Sequence, residues 1–235
     1  MENRMNQQNT ALIIGASRGL GWGLAREYLR RGWRVVATVR AGSQDTPLHA
    51  LRNDHQDLEI EVLDITLPDQ IAALRARCAG RRFDLMFVNA GVSNDPSERI
   101  GDVSNDEFMR VMLTNTLSPM RVVERLGDLV GNNGTIALMS SELGSVAANV
   151  DGGWEAYRAS KAALNSLMRS WVARHQGDSR SVFVVAPGWV RTEMGGADAP
   201  LDIDTSIAGV VDTLARRSGS GGLAYVNYRD EVLPW

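Results

Sequence analysis

Short apolar runs rich in β-branched residues alternate along this chain with longer stretches whose apolar positions recur at helical spacing. The runs ALIIG (11–15), RVVATVR (34–40), EIEVLDI (59–65), DLMFVNAG (84–91), GTIALMSS (134–141), SVFVVAPG (181–188) and GLAYVN (222–227) predict seven strands. Most are apolar on both faces, as strands are when helices cover both sides of a parallel sheet. Helical patterns lie between them at 20–31, 68–79, 105–130, 154–174 and 205–217, with Ser104 and Asp204 placed to cap the third and the last. The alternation predicts a doubly wound α/β fold, a seven-stranded parallel sheet with helices on both faces, whose ligands bind beyond the carboxyl ends of the strands. The segment GGADAPLDID (195–204) is the nearest approach to a flexible insertion.

Composition narrows the function classes. With 235 residues, 44% hydrophobic and 23% charged, the chain is long enough for one large core, and a single domain over 1–235 is expected. A net charge of −3 gives no pull toward nucleic acid or an anionic membrane, so small molecules are the expected partners. The opening MENRMNQQNT lacks the apolar core of a signal peptide, and no apolar run is long enough to span a bilayer, which together point to the cytoplasm. Cys78, the lone cysteine, allows no intrachain disulfide and no cysteine-based metal site, and it reads as a small packed hydrophobe. No metal is expected.

The first strand runs directly into GASRGLGWG, which sets Gly15, Gly19, Gly21 and Gly23 at the start of a helix. Glycines there let the backbone turn tightly and approach a pyrophosphate, while the helix start offers free amides and partial positive charge. The spacing differs from the commonest dinucleotide fingerprint, whose first two glycines are separated by one residue, and a plain strand-to-helix turn would look similar. In YRASKAALNS (157–166), Tyr157 and Lys161 stand four apart and so share one helix face. An ammonium beside a phenol can stabilise the phenolate; bringing a pKa near 10 close to neutrality takes roughly 4 kcal/mol. The alternative is a packed tyrosine beside a solvated lysine.

GASRGLG, NAG (89–91), TNTLSP (114–119), SSELGS (140–145), YRASKAALN and PGWVRTEM (187–194) stand in the order and spacing of the classical short-chain dehydrogenase/reductase family, which the chain resembles over nearly its whole length. SSELGSV, PGWVRTEMGG and the terminal LPW resemble its C-factor-like carbonyl reductase branch, which also includes proteins first met as developmental signals.

The resemblance implies a Rossmann-type oxidoreductase in which Tyr157 is the general acid or base and Lys161 assists it and holds the nicotinamide ribose. Ser141 matches the serine that hydrogen-bonds the substrate oxygen, with Ser140 competing for that role, and Asn115 matches the asparagine that positions a water behind the lysine, although an asparagine in a helix can also mark a kink or bulge. The cofactor would be surrounded by Gly15, Ser17, Arg18, Gly19, Leu20 and Gly21, by Asp64 and Ile65, by Asn89, Ala90 and Gly91, and by Pro187, Gly188, Val190 and Thr192. Asp64 could equally be a turn carboxylate. The interval from Ser141 to Tyr157 is wider than is usual in the family, and residues 145–153 carry the extra length.

Cofactor choice follows from charge. NAD-preferring folds present a carboxylate just after the second strand, whereas this chain has Arg40 followed by Ala41, Gly42 and Ser43, with Asp45 its first acid. Arg40 and Arg18 are expected to converge on a 2′-phosphate, which predicts NADPH over NADH. The expected activity is reduction of an aldehyde or ketone; the alternative is a dinucleotide-binding regulatory protein. The family resemblance also implies a homodimer through 105–130 and 154–174, with Leu164, Leu167, Met168 and Trp171 as its apolar surface; the alternative is that these residues serve the chain's own core.

Overall fold

A computed structural model describes residues 8–43 and 45–235. Its strands are β1 (Thr10–Ile14), β2 (Arg34–Val39), β3 (Leu58–Val62), β4 (Phe83–Val88), β5 (Val130–Met139), β6 (Ser181–Ala186) and β7 (Gly222–Asn227). They form one parallel sheet in the order β3-β2-β1-β4-β5-β6-β7. The order reverses beside β1, which pairs with both β2 and β4, so the crevice for a ligand opens where β1 and β4 end.

The helices are α1 (Gly19–Arg30), α2 (Pro47–Asp54), α3 (Pro68–Arg77), α4 (Asn105–Met112), α5 (Ser118–Leu126), α6 (Glu155–Arg174) and α7 (Ile203–Arg217). Successive strand residues point to opposite faces, and both faces of β1 are buried. Ala11 and Ile13 join the layer containing Leu24 and Tyr28 of α1 and Ile207 and Val210 of α7. Leu12 and Ile14 join the layer containing Ile71 of α3, Leu126 of α5 and Leu164, Met168 and Trp171 of α6. This two-sided burial is why the strand runs read as uniformly apolar.

Several boundaries depart from the expected ones. β5 begins at Val130 and ends at Met139, so Ser140 and Ser141 stand just past the end of the strand. The helix expected over 105–130 is broken: α4 gives way to a π-helical turn (Leu113–Leu117), then α5, then a 3-10 turn (Gly127–Leu129). Ser104 caps α4, its hydroxyl accepting from the Glu107 amide at 3.2 Å. The cap of α7 is Asp202, whose carboxylate accepts from the Thr205 amide at 2.7 Å; Asp204 lies in the first turn and pairs with Arg26 instead. α2 was not anticipated, because only Leu48 of its eight residues is buried and no apolar stripe marks it. The apolar surface expected for a dimer is largely interior: Leu164, Met168 and Trp171 are at most 2% exposed in the chain's own core, which leaves Leu167 outside. Among the described residues no helix is long and apolar enough to cross a membrane, and no cluster of three His, Cys, Asp or Glu side chains forms a metal site.

Candidate functional site

The glycine turn after β1 is folded onto the end of β4. The Ile14 carbonyl accepts from the amides of Asn89 and Ala90 at 2.9 and 3.0 Å, the Asn89 side chain donates to the Gly15 carbonyl at 2.8 Å, and the Gly15 amide donates to the Thr38 hydroxyl at 2.9 Å. Gly15 has φ +84, and a Cβ there would stand 2.7 to 2.9 Å from Ala90. A Cβ at Gly21 would fall 2.0 Å from the Gly15 carbonyl oxygen, so no side chain fits the inside of the turn. Arg18 is the N-cap residue of α1 and makes no side-chain cap bond, so no cap side chain competes with an anion for the first amides of the helix.

The loop after β6 faces this turn. A Cβ on Gly19 would approach the Thr192 methyl at 3.8 Å, and the Arg18 guanidinium pairs with the exposed Glu193 carboxylate at 2.9 Å. The loop is closed by Val190 bridging to Leu201 and by the Pro187 carbonyl accepting from the Ser206 hydroxyl at 2.7 Å. Gly188, at φ +80, packs where a side chain would meet Leu201 and Tyr228. Arg40 is exposed directly after β2 and makes none of the described ion pairs. Asp64 closes a turn with one carboxylate oxygen, which accepts from the Thr66 amide at 2.9 Å and the Thr66 hydroxyl at 2.6 Å. Ile65 beside it is buried.

At the end of β5 the two serines separate. Ser140 is buried and donates to the Asn165 side chain at 2.7 Å, which commits its hydroxyl to the interior. Ser141 is extended, its hydroxyl accepts from the Leu143 amide at 3.1 Å, and its carbonyl accepts from the Tyr225 phenol. The Ser141 hydroxyl also acts on the Tyr157 phenol, lowering its pKa against the effect of burial. A Cβ on Gly144 would be 3.0 Å from both Lys161 Cβ and Asn165 Nδ2, so the Ser141 turn sits tightly on α6.

Tyr157 and Lys161 share one face of α6, with Lys161 Nζ 5.6 Å from the Tyr157 ring centre. Lys161 is 3% exposed and donates to the Met139 carbonyl at 2.8 Å. Burial pushes its pKa down to about 8. Burial also pushes the Tyr157 phenol up to about 12, with the Ser141 hydroxyl acting the other way. In the protein alone desolvation therefore sets both values, and the Lys161 amine is turned onto a backbone carbonyl.

Asn115 lies inside the π-helical turn and is fully buried. Its side chain accepts from the Val92 amide at 2.8 Å and donates to the Val92 carbonyl at 2.7 Å and the Ser160 hydroxyl at 3.0 Å. The extra residue of a π turn thus rotates an amide side chain between the β4 loop and α6. A Cβ on Gly91 would stand 3.2 Å from Asn115 Oδ1 and 3.5 Å from Lys161 Nζ, so these three residues converge. Glu193, Tyr225 and Trp154, whose ring centre is 5.8 Å from that of Tyr157, also belong to this neighbourhood. No spacing in the sequence marked them.

Comparison with known proteins places the chain in a family. Residues 9–200 match the short chain dehydrogenase family. A short-chain dehydrogenase/reductase of Burkholderia multivorans, solved with bound NADP, is 55% identical and superposes with a TM-score of 0.96 over 97% of this chain and 100% of its own. A carbonyl reductase of Pseudomonas aeruginosa PAO1 in complex with NADP is 36% identical, with a TM-score of 0.90 over the same shares. The C-signal protein of Myxococcus xanthus is 35% identical over 154 residues, 65% of this chain and 92% of that protein.

Proposed function

The chain belongs to the short-chain dehydrogenase family, and from that premise we propose that it is an NADPH-dependent reductase that converts an aldehyde or ketone to an alcohol. The observation that carries this reading is the placement of the Tyr157 phenol and the buried Lys161 amine on one face of α6, the amine bonded to the Met139 carbonyl at the end of β5, directly before Ser140 and Ser141. The glycine turn fits a dinucleotide pyrophosphate, since the start of α1 presents uncapped amides and Gly19, at φ +57, places no side chain between them and the loop of Thr192. The nucleotide would be held by that turn, by Asn89, Ala90 and Gly91, and by the loop from Pro187 to Thr192, with Arg40 and Arg18 available to a 2′-phosphate. When bound, the reduced nicotinamide supplies a hydride to the carbonyl carbon.

The residues of the chain manage the oxygen. The Ser141 hydroxyl donates to the carbonyl oxygen and fixes its position, and the Tyr157 O–H transfers its proton to the same oxygen as negative charge develops there. A phenol held up to about 12 is protonated at neutral pH, the form that reduction requires. The Lys161 ammonium, one helical turn away, faces the phenolate that remains. Asn115, bonded to Val92 and Ser160, keeps α6 in register with the loop that carries Gly91. The NADP named in the Burkholderia and Pseudomonas structures supports the cofactor assignment.

Similarity to the C-signal protein favours one other reading, a regulatory protein that binds dinucleotide without turnover. Purified protein with NADPH and a panel of aldehydes and ketones separates the two. Cofactor oxidation in step with alcohol formation is expected, while tight NADP binding with no carbonyl reduced would support the regulatory reading.

A further inference from the structure

The backbone enters α6 through three successive left-handed residues, Gly152 (φ 68), Gly153 (φ 67) and Trp154 (φ 53). Glycine adopts this conformation freely, but a bulky side chain in it is an outlier that the surroundings must enforce. The enforcement is visible: the Arg158 guanidinium Nε donates to the Gly152 and Gly153 carbonyls at 3.1 and 2.9 Å, and the Arg158 amide donates to the Trp154 carbonyl at 2.7 Å. Trp154 makes no side-chain capping bond and belongs to neither core layer. What its indole does is stand edge-on to the Tyr157 ring, with centres 5.8 Å apart and planes at 65°, while remaining partly exposed.

Other apolar surface lies at this end of the sheet. Val146 and Val150, in the loop leading to Trp154, are 72% and 85% exposed. Trp189, in the loop after β6, is 58% exposed although its indole N–H is fixed on the Gly195 carbonyl at 2.7 Å. An immobilised, solvent-facing indole is poor design for folding and good design for contact with an apolar ligand.

We propose that Trp154 is a specificity-determining residue, a wall beside Tyr157 that receives the substituent on the carbonyl carbon, and that the substrates are aldehydes and ketones bearing a planar aromatic group. This rests on the reading of the site as a carbonyl reductase. A carbonyl oxygen placed between Ser141 and Tyr157 sets its substituent within reach of the Trp154 ring, where an aromatic group gains stacking that a short alkyl chain cannot.

The test compares benzaldehyde with acetaldehyde in the parent, Trp154→Gly and Trp154→Phe. Trp154→Gly suits the left-handed backbone, so it should keep or raise the melting temperature while lowering the benzaldehyde-to-acetaldehyde ratio of kcat/KM at least tenfold. Trp154→Phe should recover most of that ratio. Calorimetry of benzyl alcohol binding to protein saturated with NADPH, a pair that cannot react, provides a readout independent of turnover, and affinity should fall in Trp154→Gly. If no carbonyl is reduced but benzyl alcohol binding depends on Trp154, the reductase reading fails and the aromatic wall stands. An unchanged ratio with unchanged binding, or equal losses for both aldehydes, would overturn the role of Trp154.

Discussion

The Tyr225 phenol donates a hydrogen bond to the carbonyl oxygen of Ser141, so the last strand of the sheet holds the backbone of the residue assigned to orient the substrate. Tyr225 is itself fixed, buried in the core, with its ring centre 5.4 Å from that of Trp235 and its carbonyl accepting from the Leu233 amide at 2.9 Å. Burial pushes its phenol pKa up, so it remains a donor throughout the working range.

Tyr225→Phe keeps the ring and removes only the donor. Stability should fall by about 1 kcal/mol, the net worth of one hydrogen bond. Turnover should drop several-fold because Ser141 loses a restraint, with the dissociation constant for NADPH unchanged. Steady-state kinetics alongside calorimetric titration of the cofactor checks both; a loss confined to cofactor affinity would place Tyr225 elsewhere in the mechanism.

Tyr157→Phe tests the proton donor. A positioned general acid contributes on the order of 10² to 10⁴ in rate, so kcat should fall by that factor while NADPH binding stays within a few-fold. Single-turnover measurement of hydride transfer distinguishes this from slowed product release, and activity within a few-fold of the parent would remove Tyr157 from the chemistry.

The sheet was legible in the sequence because its strands are buried on both faces: Ala11 and Ile13 serve one layer and Leu12 and Ile14 the other, so no polar alternation interrupts the pattern. The glycine turn and the Tyr157–Lys161 pair were legible because each is a local spacing with a local geometry. The π-helical turn was legible only as the kink or bulge that an asparagine at 115 in a helix can mark, and the single helix expected over 105–130 passed over it. Asp202 and Asp204 are both good caps, and only the backbone separates them. The contact of Tyr225 with Ser141 joins residues 84 apart, and no local pattern encodes it. For the apolar residues of α6 the sequence left a dimer surface and the chain's own core open, because an amphipathic stripe has the same appearance whether its cover is another subunit or the chain's own sheet; burial assigns Leu164, Met168 and Trp171 to the core.

Lys161 should make stability depend on pH in a definite direction. Its pKa falls from 10.5 in the unfolded chain to about 8 in the fold, so between these values the unfolded state binds the extra proton and stability rises with pH. Below about 8 both states are protonated, and the burial cost, about 3 kcal/mol, is present in full. Tyr157 acts oppositely at higher pH: its phenol ionises near 10 when unfolded and near 12 when folded, so stability falls across that interval. Lys161→Met should abolish the alkaline rise and, after loss of the bond to the Met139 carbonyl, stabilise the cofactor-free protein at neutral pH by about 2 kcal/mol. It should also cost nearly all activity. Denaturant unfolding from pH 7 to 11 measures the curve, and a parent protein whose stability is flat from 8 to 10 would show that the amine is not desolvated.

The proposed preference for NADPH rests on Arg40 and Arg18, and the pair between Arg18 and Glu193 adds a condition to it. Arg40, exposed after β2 with no described ion pair, is available to a 2′-phosphate, and Arg40→Asp should weaken NADPH by roughly tenfold or more, because a charge-assisted contact contributes about 1.5 to 3 kcal/mol and the new carboxylate repels the phosphate. Arg18 is held at 2.9 Å by Glu193, with both side chains more than 60% exposed. An exposed pair of this kind is worth between 0 and about 1 kcal/mol, so releasing it strengthens a phosphate contact by no more than about fivefold. Glu193→Gln should accordingly tighten NADPH two- to fivefold and leave NADH unchanged, since NADH carries no 2′-phosphate for the freed guanidinium to meet. Arg18→Ala should weaken NADPH and cancel the effect of Glu193→Gln in the double variant. Titrations of both cofactors against the four proteins give the coupling directly. Equal tightening of NADPH and NADH in Glu193→Gln would mean that Glu193 repels the pyrophosphate rather than competing for Arg18, and a parent protein that prefers NADH would refute the assignment of Arg40.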